Sequence, residues 1–254
     1  MRLVANLSGT TSRLRAACFV VGGVFALTLL GCSSLSHESE DTPLDPSKEI
    51  WRPFELPFKR PTHYAPVTLD GRQAIQADAD SAVSLYRRMV RIEPAHLGRV
   101  SFSWMVPEII PGANLSLQDT EDAPVRLVLA FDGDLGQLPT KDRLLFDLIE
   151  GVVGEPPPYA TLMYVWDNHA PAGSVIVAAR TGRIRKIVVD SGASHTSVWR
   201  AHDRDIASDF RLAFGEEPGA LTSIALMTDS DNTRSRVRAY YGEVRLFDRS
   251  GSTR

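Results

Sequence analysis

The 254-residue chain predicts a mainly β fold: a single jelly-roll-like β-sandwich with one or two covering helices. Three observations carry that expectation. Short runs rich in β-branched and aromatic residues recur between turn residues, about nine or ten of them, the rhythm of a sandwich. Two of these, Val100–Val106 and Pro124–Phe131, alternate with period two, as a strand does when one face meets a core. Thr140–Val153 and Asp203–Phe214 repeat apolar residues at three and four, the spacing of a helix.

The first element is a leader. Arg2, Arg13 and Arg15 precede an uncharged run from Ala16 to Leu30, which is too short to span a bilayer comfortably at about 20 residues. The run ends Leu29-Leu30-Gly31-Cys32, which resembles a bacterial lipobox. Residues 1–31 are therefore expected to be a lipoprotein signal peptide and Cys32 the lipidated new N-terminus. Ser33 rather than Asp follows it, which points to the outer membrane, facing the periplasm. Ser33–Ile50 is polar, acidic and broken by two prolines, so it reads as a tether with a reach of about 60 Å. Removing the leader takes three arginines and no acid, which leaves 25 basic against 31 acidic residues. That balance makes nucleic acid a poor partner. With Cys18 in the leader and Cys32 lipidated, the domain at 51–248 has no disulfide and must rest on its core. Residues 249–254 read as a tail.

Along the domain, Trp51–Pro66 mixes aromatics with prolines, as an irregular strap or edge strand does. Asp70-Gly71 closes a hairpin between Val67–Leu69 and Arg72–Ala77. Ala82–Ile92 fits helix or strand. In Val100–Val106 the alternation makes Trp104 a core residue, and in Pro124–Phe131 it sends Val125, Leu127, Leu129 and Phe131 inward with Arg126 opposite. The first helix takes Thr140 as its cap and stops at Gly154; its Leu144, Leu145, Leu148, Ile149 and Val152 face the sandwich. Leu162–Trp166, Ser174–Ala178 and Ile184–Asp190 are strands, Trp199 ends a further short run, and Asp203 caps the second helix. Ile224–Thr228 and Val237–Phe247 flank a polar turn and read as a hairpin set centrally in a sheet.

Leu226–Thr233 (LMTDSDNT) followed by Ala239–Leu246 (AYYGEVRL) resembles the ending of the bacterial family catalogued as domain of unknown function 3047. Asp122–Asp132, Leu162–Asn168 and Arg204–Pro218 fit the same pattern in the same order, so the likeness spans roughly Trp51 to Phe247. It implies an uncharacterised extracytoplasmic β-sandwich, similar in pattern to carbohydrate-binding jelly rolls, and makes Ala82–Ile92 a strand. Asp134–Ala160 is longer than the pattern implies.

Catalytic signatures such as His-Glu-x-x-His, Gly-x-Ser-x-Gly and a phosphate-cradling loop are missing from the sequence. Ser194 beside His195 reads as a solvated loop. The turn Asp229-Ser-Asp-Asn offers oxygen donors from Asp229, Asp231 and Asn232, either for calcium or for their own backbone. Arg126, Tyr164 and Trp166 could join that turn as a saccharide site on the outside of a sheet, or the two aromatics could lie in the core. The expectation is a non-catalytic binding module for an envelope saccharide. Two alternatives stand: a glycan hydrolase or lyase using Asp229 and Asp231, and a structural lipoprotein that binds proteins.

Overall fold

A computed structural model describes residues 50–253. The leader, Cys32 and the tether before Ile50 lie outside the described residues. Among the described residues, thirteen strands form two sheets, with two α-helices, so the fold is a mainly β sandwich as expected. The first strands are β1 (Arg52–Glu55), β2 (His63–Leu69), β3 (Arg72–Asp80), β4 (Val83–Ile92), β5 (Arg99–Met105) and β6 (Ala123–Phe131). Then come α1 (Thr140–Val153), β7 (Ala160–Asp167), β8 (Val175–Val177), β9 (Ile184–Ser191), β10 (Arg200–Asp205) and α2 (Ile206–Phe214). The chain closes with β11 (Leu221–Asp229), β12 (Arg236–Tyr241) and β13 (Arg245–Phe247).

A seven-stranded sheet runs β1-β4-β11-β6-β7-β9-β8, antiparallel except for the β7–β9 pair. A six-stranded sheet runs β10-β5-β12-β3-β2, with β13 also on β5. Their inner faces enclose the core, built from Val125, Leu127, Leu129 and Phe131 of β6, Val100, Phe102 and Trp104 of β5, and facing residues. Each such side chain contributes roughly 1.5–3 kcal/mol by leaving water. Asp70 and Gly71 both take positive φ, the twist that a two-residue hairpin turn requires.

β6 and β7 are buried at every position because the outer face of the seven-stranded sheet is covered as well. Leu115, from the loop between β5 and β6, joins Val128, Met163, Val165 and Met227 in a second cluster there.

Several expectations are corrected. β11 is central in its sheet, but β12 belongs to the other one, so the polar turn crosses the sandwich and closes no hairpin. The run after it is split. Gly242 donates from its backbone to Ser103 O at 2.8 Å, and one extra residue then bulges out before β13 resumes on β5. A side chain at Gly242 would overlap Ser103 Oγ. Residues 200–205 form a strand after Trp199, and α2 starts later than expected, capped by Asp205, whose carboxylate accepts from Ser208 N at 2.7 Å. The residue before α1 is Pro139, so Thr140 opens the helix instead of capping it. The tail folds back: Thr253 bridges to Phe247, and Arg249 donates to Leu97 O at 3.3 Å.

Two tyrosines of the six-stranded sheet reach across the core to the other sheet's backbone. Tyr241 Oη donates to Met227 O at 2.8 Å and accepts from Arg126 N at 3.3 Å. Tyr64 Oη donates to Ser84 O at 2.8 Å and accepts from Thr228 N at 3.1 Å. The pairing of β11 with β6 breaks register between Met227 and Asp229. Burial raises both phenol pKa values, which keeps each hydroxyl a donor.

Candidate functional site

The polar turn after β11 carries a charge cluster at one end of the sandwich. Asp229 ends β11 and accepts from Arg126 Nη2 at 2.8 Å, while Lys59 pairs with Asp231. Asp122, just before β6, accepts from Thr233 N at 2.7 Å, Thr233 Oγ1 at 2.6 Å and Asn232 N at 3.2 Å. Asn232 donates its amide to Gln118 O at 2.9 Å. Carboxylate oxygens of Asp122, Asp229 and Asp231 all lie within 4.8 Å of one another. Next to them, buried Lys186 pairs with Glu121 at 2.7 Å and donates to Leu115 O at 3.3 Å. Burial pushes the Asp229 carboxyl well up against the pull of Arg126, with Asp122 and Asp231 adding to the rise. Burial lowers Lys186, helped by Arg126 and opposed by Glu121.

Arg126, Asp229, Asp231 and Asn232 lie together at this end, and Asp122 joins them. Asp122 lies four residues before Arg126 but far along the chain from the turn, so the spacing within the turn gave no sign that Asp122 holds it. Tyr164 and Trp166 do not join. β7 alternates, so Met163 and Val165 face the Arg126 side while both aromatics point into the core at 0% exposure. Tyr164 Oη donates to Asp209 at 2.8 Å and Trp166 Nε1 to Gly192 O at 2.9 Å. The saccharide platform built on these two rings is therefore corrected: they are core residues.

Calcium wants six to eight oxygens. Here Arg126 and Lys59 already neutralise two of the three carboxylates, and Asp122 is occupied by three donors. The residues fit an internally neutralised network better than a cation cage. Asp229 and Asp231 also lie two residues apart at the end of β11, whereas a glycosidase pair faces itself across a cleft at roughly 5–10 Å.

A second polar cluster escaped the sequence reading. β10 turns Arg200, His202 and Arg204 inward at every second position. Asp190 accepts from Arg200 Nε at 2.8 Å and Trp104 Nε1 at 2.7 Å, and its other contact is His202 Nε2 at 2.7 Å. A bulge in β9 places Asp190 opposite Trp166, where Val188 lies opposite Val165, so Asp190 turns inward. Burial pushes its carboxyl up, but the hydrogen bonds from His202, Trp104 and Arg200 win and hold it below the usual range. Arg204 grips Asp209 with two bonds, at 2.8 and 2.6 Å, beneath Tyr164. The alternation of Arg200, His202 and Arg204 was the available signal. Ser194 Oγ and His195 Nδ1 stand 3.3 Å apart on an exposed loop.

An open groove of about 760 Å³ lies where β5, β10, α2 and β13 meet. Arg99, Asp203, Arg211, Phe247 and Arg249 line it. They come from three distant segments, which is why no local motif marks it.

No curated protein matches the chain in sequence. Among solved structures it is similar to the xyloglucanase domain of NopAA, a type three effector from Sinorhizobium fredii, in complex with cellobiose. That match has 9% identity over 78% of this chain and 93% of that one, with a TM-score of 0.44. The native family 12 xyloglucanase from Bacillus licheniformis matches at 7% identity over 74% and 100% of the chains, TM-score 0.39. A loop-swap mutant of Necallimastix patriciarum Xyn11A matches at 10% identity over 75% and 88%, TM-score 0.35. Residues 49–245 match the family described as Protein of unknown function (DUF3047), and the chain belongs to it.

Proposed function

We propose that the protein is an envelope lipoprotein, anchored through Cys32 at the outer membrane and facing the periplasm, whose domain binds a saccharide without turning it over. The groove beside Phe247 carries this reading. Phe247 lines it together with Arg249, with Arg211, which pairs with Glu217, and with Arg99 and Asp203, which pair with each other. Sugars present hydroxyls that such planar groups hold and C–H faces that stack on a ring. The carboxylates described above are held by internal cations and amides, which suits binding better than proton transfer.

The test is a glycan array and a peptidoglycan pull-down with the domain from Trp51 onward, followed by titration of the best ligand. Phe247→Ala and Arg211→Gln are each expected to weaken binding about tenfold, or roughly 1.4 kcal/mol. Equal affinity in wild type and both variants would remove the groove from the account, and an empty array and pull-down would remove the saccharide.

A further inference from the structure

α1 carries more apolar surface than its own domain covers. Phe146 is buried, and Leu145 and Ile149 are half-buried beside it. Leu144, Leu148 and Val152, spaced by four, form a second stripe along the helix and are 65%, 65% and 50% exposed.

Two contacts fix where this helix lies. Thr181 Oγ1 donates to Asp142 at 2.8 Å in its first turn, and Glu155 just past its end pairs with Arg87. Thr181 precedes β9 and Arg87 belongs to β4, four strands away, on the outward side of the sheet. Fourteen helical residues reach about 21 Å, close to four strand spacings of about 4.8 Å. α1 therefore crosses the outer face of the seven-stranded sheet.

Arg87 also ties the helix to the domain's beginning. β1 lies on β4 with Arg52 opposite Arg87, and the Arg87 guanidinium sits 4.0 Å from the Phe54 ring. The chain leading from Ile50 back toward Cys32 therefore leaves the domain beside the C-terminal end of α1. A stable protein partner takes about 800 Å² per side. Three aliphatic side chains in single file fall well short of that, which argues against a second copy. A bilayer needs no such area when a tether of about 60 Å keeps it within reach.

We propose that α1 is a membrane-docking helix. Its stripe enters the phospholipid interface, with Lys141, one turn before Leu144, extending to the headgroups. The domain then lies with its seven-stranded sheet toward the lipid and the Phe247 groove, on the other sheet, turned away. This inference rests on the reading of Cys32 as the anchor.

The test supplies the anchor chemically. Residues 32–254, with Cys32 as their one thiol, are coupled to a maleimide lipid in vesicles of phosphatidylethanolamine and phosphatidylglycerol. Hydrogen exchange is then followed by mass spectrometry. Peptides of α1 are expected to exchange roughly tenfold more slowly on vesicles than in solution, while the six-stranded sheet is unchanged. A Leu144→Ser, Leu148→Ser, Val152→Ser variant with unaltered melting should lose the difference. Equal α1 exchange on vesicles and in solution overturns the docking, as does equal protection in concentrated solution without lipid. The anchor is read separately. Cys32→Ser in the full chain should leave the outer-membrane fraction, and a processed variant that stays there would overturn the anchor while leaving the vesicle result to stand.

Discussion

Asp190 owes its orientation to one extra residue in β9, and its charge to the three donors that the inward turn brings within reach. A carboxyl held below its usual range binds fewer protons in the folded chain than in the unfolded one. Its contribution is present above the unfolded value of about 3.9 and is lost as pH falls through the depressed folded value. Asp190→Asn should cost about 1–3 kcal/mol at pH 7, since Arg200, which is partly exposed, keeps some solvation. Urea midpoints for wild type and variant should converge as pH falls toward 3. A gap that stays constant with pH would show that the charge of Asp190 contributes nothing. Trp104 and Tyr164 teach the complementary point. Both indole and phenol are fully buried, yet each polar tip finds a carboxylate, so their burial costs no unpaired group.

At the scale of elements, the polar turn is held from outside itself. Asp122 accepts three hydrogen bonds from Asn232 and Thr233, and Arg126 and Lys59 answer Asp229 and Asp231. Asp122→Ala should therefore cost about 1–3 kcal/mol, while wild-type melting should be the same in calcium and in chelator. A bound cation at 100 times its dissociation constant would add about 2.7 kcal/mol. A calcium-dependent rise that Asp231→Ala abolishes would restore the metal. β5 was legible because buried and half-buried positions alternate along it, and β6, though buried throughout, because Arg126 interrupts its outward face. β10 was not, because its inward positions are Arg200, His202 and Arg204, whose burial depends on Asp190 and Asp209 elsewhere in the chain. The turn after β11 was legible as a turn. Its residues say nothing about which sheet receives the next strand, so the crossover read as a hairpin. In α1 the apolar repeat was plain, but the repeat alone does not say which half of it the domain covers.

Across the described residues as a whole, two sheets complete each other's hydrogen bonding. Without the six-stranded sheet, Arg126 N and Thr228 N would lose the tyrosine oxygens that satisfy them, at about 1–3 kcal/mol each. Neither sheet is then a stable half, and denaturant unfolding should be one transition. Tryptophan fluorescence and far-UV circular dichroism are expected to give one midpoint, and two separated midpoints would show independently stable layers. The strand order carries this further, into the time at which the fold can form. β4 pairs with β11, and β3 pairs with β12, so strands made early wait for partners made late. A chain emerging with its N-terminus first has β1 to β10 in hand before β11 can fill the gap between β4 and β6. Until β11 and β12 arrive, β4 is not joined to β6 nor β3 to β5, so neither sheet can be completed before nearly the last strands are made.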